Sequence, residues 1–504
     1  MTRSLRSLLL PALVALSSAG CSSSSSTPPT PPADPYLYRA PPTTPPPAPL
    51  DPVIWTAHHR DDLLPFWTSS DALGVPEGNF PTWRQMDGAV TANTARKPRM
   101  MGRQIYAYAM GFMLTGDETL LGHARDGQRW LLDHARDANG GWHADLNQDG
   151  TPLGAGIRWS QDLAYDAMGP AAYFFVTRDA EAEGAVLAAR DALFDPARFW
   201  DATNGRIKDG LDATMTTEQW MSGNPGDWQL VAQLDPITAF ELLVQPVLTE
   251  PSRRTQALGD LRTLGTLVKT RFWQGGLFWG STMTLGAYGS NHSDFGHILK
   301  SYWALLLIDK RLDDRPFASF VSTNAPATLT MAFDSPFGRW AKFPTSSTTV
   351  AYGSDWWAYA EADQLAGTLL LHDPSWIPTL GLTSSGFLDK YVDRSRAARE
   401  VVSSIKRDGT GYNWPDTDTA KCNEWKNGFH STEHALVMFL TSHYLANTPA
   451  PLYFAFTPAE LDAQARGSRP YTFQGRYVSH EDLGPIAGDP AGRHKVKVLF
   501  DQLR

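Results

Sequence analysis

From about Trp55 to Leu445 the apolar positions of the chain recur with a helical period. The window Glu118–His134 shows it best. Leu120, Leu121, Ala124, Trp130 and Leu131 fall on one broad face, with Arg125, Asp126 and Arg129 on another. Similar amphipathic windows at Gln161–Thr177, Glu181–Leu193, Pro236–Leu248, Thr255–Arg271, His297–Asp309, Trp356–Leu371 and Thr432–Leu445 predict further helices. Loops rich in Gly, Pro, Asn and Asp separate them. Many helices without alternating strand–helix–strand runs predict an all-α domain over 51–450. Beyond it, Tyr471-Thr-Phe and Lys495-Val-Lys-Val-Leu-Phe read as short strands. Residues 451–504 are therefore expected to form a small β-rich C-terminal extension.

The first residues carry a different pattern. Arg3 and Arg6 precede a short apolar run, Leu8 to Leu16, which is too short for a permanent membrane span. Ser18-Ala19-Gly20-Cys21 then reads as a lipoprotein cleavage box, so 1–21 is expected to be a signal peptide with Cys21 lipidated. An ordinary secretory signal with an incidental Cys is the alternative. Residues 22–50, with five serines and then Thr and Pro, read as a disordered tether. The expected place is the cell envelope, on its periplasmic face or at the cell surface, with the membrane as a partner through the lipid anchor.

Composition narrows the partners. The chain has 504 residues, a net charge of −9 and 18 Trp, which allows a large core and argues against nucleic acid. Cys422 is the one cysteine besides Cys21, so no internal disulfide is expected if Cys21 is acylated. It reads as a buried structural residue. Asp145-Leu-Asn147-Gln-Asp149-Gly150 resembles the opening of a calcium loop, but Gly156 stands where the bidentate Glu belongs. A Gly/Asp turn is the better reading.

Two segments carry the candidate chemistry. In Asn291-His-Ser-Asp-Phe-Gly-His297 and Glu424-Trp-Lys-Asn-Gly-Phe-His430, a histidine falls just inside a predicted helix start, after a polar turn able to cap it. The positive end of a helix favours neutral imidazole. Two neutral imidazoles facing one pocket make a proton-transfer pair that works near pH 7. A zinc site from His292, His297, His430 and His434 is conceivable, because His-x-x-x-His suits one helix face. No carboxylate stands at a familiar metalloenzyme spacing, so neither metal nor other cofactor is expected.

Laid in order, these segments resemble the N-acylglucosamine 2-epimerase superfamily, which includes cellobiose 2-epimerases and mannose isomerases. The resemblance is carried by Leu63-Leu-Pro-Phe-Trp67, Gly78-Asn-Phe with Asp87-Gly88, and Arg99-Met-Met-Gly-Arg103-Gln-Ile-Tyr106 with Leu114-Thr-Gly-Asp117. It continues through Gly140-Gly-Trp142 with Asp149-Gly150-Thr-Pro152, then Trp356-Trp357-Ala-Tyr-Ala-Glu361, and both histidine segments. It implies an (α/α)6 barrel of helical hairpins around a central pocket. It also implies proton shuttling at a sugar C2 by His297 and His430 as catalytic residues, with no obligatory metal. Arg103, Lys300, Trp357, Glu361, Trp425 and Glu433 are then the expected substrate-binding residues, and a mono- or oligosaccharide the partner.

The chain also departs from the family. Lys300 stands where Glu is usual, Glu433 where Arg is usual, and Tyr359 where Gln is usual. Positions i and i+3 share a helix face. The two exchanges together therefore predict that Lys300 and Glu433 pair across the barrel with reversed polarity. A third histidine, often found near Leu234-Asp-Pro-Ile-Thr238-Ala-Phe-Glu241, is missing. Two other classes stay open on sequence. One is an (α/α)6-barrel glycoside hydrolase or polysaccharide lyase, with Asp294, Glu361 and Glu433 as candidate carboxylates. The other is a non-catalytic surface glycan-binding lipoprotein.

Overall fold

The computed structural model describes residues 36–139, 141–411 and 420–504. The expected signal peptide with Cys21, and tether residues 22–35, lie outside the described residues.

Long helices alternate between an outer and an inner ring. In chain order they are α1 (52–67), α2 (Pro98–Thr115), α3 (Glu118–His134), α4 (Ser160–Thr177), α5 (Ala180–Leu193) and α6 (230–244). The series continues with α7 (Pro251–Arg271), α8 (Phe295–Asp309), α9 (Ala318–Ala332), α10 (Trp356–Leu370), α11 (Ile377–Lys390) and α12 (Phe429–Leu445). The even-numbered helices form the inner ring and are buried along nearly their whole length. The odd-numbered helices bury one stripe and expose the other, as amphipathic helices on a surface do. This is the expected (α/α)6 barrel.

Close packing of the inner ring depends on small residues. A Cβ at Gly102 of α2 would lie 2.1 Å from the Tyr165 carbonyl oxygen of α4, so the backbones of these two helices meet there.

After α12 the chain forms the expected extension. Strands β1 (Ala450–Phe456), β2 (Arg476–Pro485) and β3 (His494–Asp501) make one antiparallel sheet in the order β1-β3-β2, with Ala450 opposite Phe500. A short helix, α13 (Leu461–Gly467), lies between β1 and β2. The sheet packs at the C-terminal ends of the inner helices. Tyr453 lies against Gly116, which caps α2 with φ 74°, and Phe454 lies beside Phe175 of α4.

Two expectations are corrected. Tyr471–Phe473 is a turn, not a strand; Tyr471 has φ 61°, and its side chain is buried. The expected tether over 22–50 also ends early. From Tyr36 onward the chain lies on the barrel, with the Tyr36 hydroxyl donating to Asp309 (2.6 Å), Arg39 donating to the His372 carbonyl (2.7 Å), and Leu50 buried. Buried rings offset the ordering cost that a Pro-rich stretch would otherwise escape. The 145–150 segment is a turn, with Asp149 accepting from the Thr151 backbone N–H and Asp145 paired to Lys97 at 2.6 Å. Among the described residues no helix is long and apolar enough to cross a membrane.

Candidate active site

The first turns of the inner helices converge on one open cavity of about 600 Å3. Arg103, His297, Lys300, Trp357, Trp425 and His430 all line it.

His297 enters from α8. Asp294 caps this helix by accepting from the His297 backbone N–H (3.1 Å), and its other oxygen meets His297 Nδ1 at 2.8 Å. One carboxylate thus starts the helix and fixes the ring, leaving Nε2 as the nitrogen free for the pocket. Burial works to raise the Asp294 carboxyl, but the charge and hydrogen bonds of His297 outweigh it and hold it below the usual range.

His430 enters from α12, whose first turn is capped by Asn427 accepting from the Phe429 N–H (2.9 Å). Burial first, then the charges of Lys300 and Arg103, push His430 well below the ordinary histidine value. Burial, and not the helix start, is thus the main influence favouring a neutral imidazole at His430. Trp357 joins the two histidines: its ring centroid lies 4.8 Å from that of His297 and 5.9 Å from that of His430. Gly296 makes room for it, since a Cβ there would lie 2.4 Å from the Trp357 ring.

The expected Lys300–Glu433 pair does not form. Lys300 Nζ lies 2.8 Å from Asp235 Oδ1 and 4.0 Å from Glu361 Oε1. Burial alone would lower the Lys300 amine, and the Asp235 charge outweighs it to hold it above its ordinary value. Asp235 sits in the segment that lacks the third histidine often found in the family the sequence resembles, and Gln161 donates to its second oxygen at 2.8 Å. The polarity exchange at Lys300 is therefore answered by Asp235 on α6. Sequence spacing did not point to Asp235, which lies 65 residues from its partner.

Glu361 and Glu433, expected to bind substrate, do not line the cavity. They lie buried behind His430, whose Nδ1 is 3.6 Å from Glu361 Oε1 and 3.9 Å from Glu433 Oε2. Trp303 donates to the other Glu361 oxygen at 2.7 Å. Burial raises the Glu361 carboxyl to about 8 and that of Glu433 to about 7. The ligand atoms of Glu361, His430 and Glu433 lie within 4.8 Å of one another, a spacing open to a cation. The Lys300 ammonium beside Glu361 already brings positive charge there, so the donor set does not call for a metal.

Arg103 is buried with its guanidinium 3.6 Å over the Tyr165 ring, and no carboxylate of the described residues pairs with it. Trp425 stands at the rim, about half exposed, with Arg99 3.9 Å over its ring. Its neighbour Lys426 is held by the buried Glu400 at 3.2 Å, so that part of the motif is scaffold. His434 donates nothing to the cavity: its Nε2 meets the buried Asp363 at 2.8 Å. The four-histidine zinc arrangement is thereby ruled out by geometry. Tyr359 is also scaffold, donating to the Thr383 carbonyl at 2.8 Å. Cys422 is buried, and burial pushes its thiol up.

Residues 78–226 match the model of the N-acylglucosamine 2-epimerase (GlcNAc 2-epimerase) family. No protein of curated function matches the chain by sequence. Among solved structures the fold is similar to cellobiose 2-epimerase from Spirochaeta thermophila, with TM-score 0.67 and 19% identity over 78% of this chain and 97% of that one. It is also similar to a D-mannose isomerase, with TM-score 0.66 and 18% identity over 78% and 99%. A third likeness is to cellobiose 2-epimerase from Bacillus thermoamylovorans, with TM-score 0.64 and 15% identity over 77% and 98%.

Proposed function

We propose that this chain belongs to the N-acylglucosamine 2-epimerase superfamily and is a carbohydrate epimerase or isomerase that moves a proton at C2 of a reducing saccharide; the family match over residues 78–226 and the shared barrel fold support this reading. The observation that carries the reading is the His297–Trp357–His430 arrangement in one open cavity. One histidine removes the C2 proton of an open-chain sugar, and an enediolate forms. Return of a proton to the opposite face of C2 gives the epimer. Delivery to C1 gives the ketose. His430, held neutral, is ready to accept a proton. Arg103 and Lys300 bring positive charge to the developing oxyanion. Trp357 and Trp425 supply apolar walls for a sugar ring.

Cleavage of a glycosidic bond fits less well. A hydrolase needs two free carboxyl groups flanking the bond. The carboxylates lining this cavity are engaged: Asp294 by His297, Asp355 by Lys342 at 3.3 Å, and Glu424 by Arg99 at 3.2 Å. Incubation with mono- and disaccharides in D2O, followed by proton NMR, tests the proposal. Loss of the C2 proton signal with growth of an epimer or ketose supports it. Fragmentation of an oligosaccharide, without exchange at C2 of any free sugar, would move the assignment to a hydrolase.

The Cys21 box further supports a lipid anchor that holds the barrel at the cell envelope. Mass spectrometry of the N-terminal peptide checks this: a diacylglyceryl-modified Cys21 is expected, and an unmodified peptide that still contains residues before Cys21 would contradict it.

A further inference from the structure

The C-terminal extension reaches into the barrel at one point. The Tyr471 side chain is buried, and its hydroxyl meets both Glu433 of α12 and Tyr106 of α2. Burial and the adjacent Glu433 charge keep this phenol protonated, so it donates to Glu433 Oε1. Its one proton is then spent, and the Tyr106 hydroxyl, 2.7 Å away, must be the donor to the Tyr471 oxygen. A line of hydrogen bonds thus runs from Tyr106 through Tyr471 to Glu433. The second Glu433 oxygen faces His430 Nδ1 at 3.9 Å, beside Glu361 Oε1 at 3.6 Å.

The backbone supports a specific purpose for this contact. Tyr471 holds φ 61°, a left-handed conformation that is strained for a bulky residue and persists only when surrounding contacts enforce it. The ring packs in the hydrophobic core, and its hydroxyl reaches the carboxylate that lies behind His430.

We propose that Tyr471 is a positioning residue of the site: it holds Glu433 so that the carboxylate lies near His430 Nδ1, beyond hydrogen-bond distance, where its charge favours the proton on Nδ1 and leaves Nε2 unprotonated toward the pocket. The role rests on the proton-transfer reading given above. The groups facing Glu433 are His430 and Tyr471, with Glu361 on α10 and Lys300 on α8. Arg103, Lys300 and Lys426 bear on His430 by charge. Without the Tyr471 hydroxyl, the Glu433 carboxyl loses a donor that stabilises its ionised form and takes up a proton more readily.

Nitrogen-15 NMR of the histidine rings in the full chain tests this without any sugar, with the His430 signals assigned by their loss in His430→Gln. The wild type is expected to hold His430 in the Nδ1–H tautomer at neutral pH, and Tyr471→Phe to mix the two tautomers. If a substrate is turned over, Tyr471→Phe should lower kcat by about tenfold or more, leave KM within about twofold and displace the pH profile. Should Tyr471→Phe not fold, Tyr106→Phe removes the upstream donor and is expected to shift the same signals in the same direction. An Nε2–H tautomer in the wild type, or ring signals unchanged in the folded variant, overturns the proposal. Failure to find a sugar substrate bears only on the function and leaves the tautomer result standing.

Discussion

Lys300 Nζ lies 2.8 Å from Asp235 Oδ1, both groups are buried, and this contact joins two inner helices directly beneath the sugar-sized cavity. Removing one member leaves a buried charge unpaired, which costs about 3–5 kcal/mol. Asp235→Asn and Lys300→Met should each lower stability by that amount, and the pair together by clearly less than their sum. Exchanging Lys300 and Glu433 for the family's usual residues should give no such recovery, because the two side chains do not meet. Urea denaturation of the single and double variants checks both statements, and additive losses for Lys300 with Asp235 would contradict them.

Gly296→Ala should damage activity without touching a catalytic group. The added methyl would lie 2.4 Å from the Trp357 ring, and that ring contacts both histidines. Overpacking of this kind costs about 1–3 kcal/mol, and the displaced ring should raise KM by about tenfold or more. A variant with the wild-type melting temperature and unchanged kinetics would show that Trp357 has freedom the packing denies it.

Stability should fall on the acid side of neutrality. His430 sits well below its ordinary value, while burial brings His292 to about 4 and His59 to about 3. An unfolded chain binds these protons near 6.5, and the folded chain does not. As pH drops below 6.5, the unfolded state therefore gains protons that the native state refuses. Each such group costs about 1.4 kcal/mol per pH unit until its folded value is reached. Above 6.5 the contribution is fully retained. The urea midpoint should decline steeply between about pH 6.5 and pH 5, and His430→Gln should flatten that decline. A midpoint constant across that window would contradict the buried neutral imidazoles.

Periodicity exposed outer helices through their two unlike faces, and it also found the inner helices at 161–177, 297–309, 356–371 and 432–445, although these are buried nearly throughout and not amphipathic. Glu118–His134 was legible because charged residues mark its outer side. Helix α2 carries no such stripe: from Pro98 to Leu114 it is buried, so only the resemblance of Arg99 to Tyr106 pointed to it. Helix α9 left no signal either, its outer face being Ser, Thr and Asn with Pro326 inside. The site divides along the same line. His297, His430, Arg103 and Trp357 were legible as local motifs at helix starts. Asp235 and Tyr471 were not, because each matters through a partner many residues away, on Lys300 and Glu433 respectively. Glu361 and Glu433 were found by motif but given the wrong surroundings, since spacing cannot say whether a carboxylate faces a cavity or lies behind a histidine.

In the proposed reaction His297 and His430 exchange the C2 proton of a sugar. His297→Ala and His430→Ala should each retain the helical circular dichroism of the wild type and lose about 100- to 10,000-fold in rate. The most direct measurement is deuterium incorporation at C2, by proton NMR, for wild type and both variants with one substrate in D2O. Label at C2 of product and recovered substrate, abolished in both variants, is the predicted result. Full incorporation by either folded alanine variant would contradict the two-histidine account.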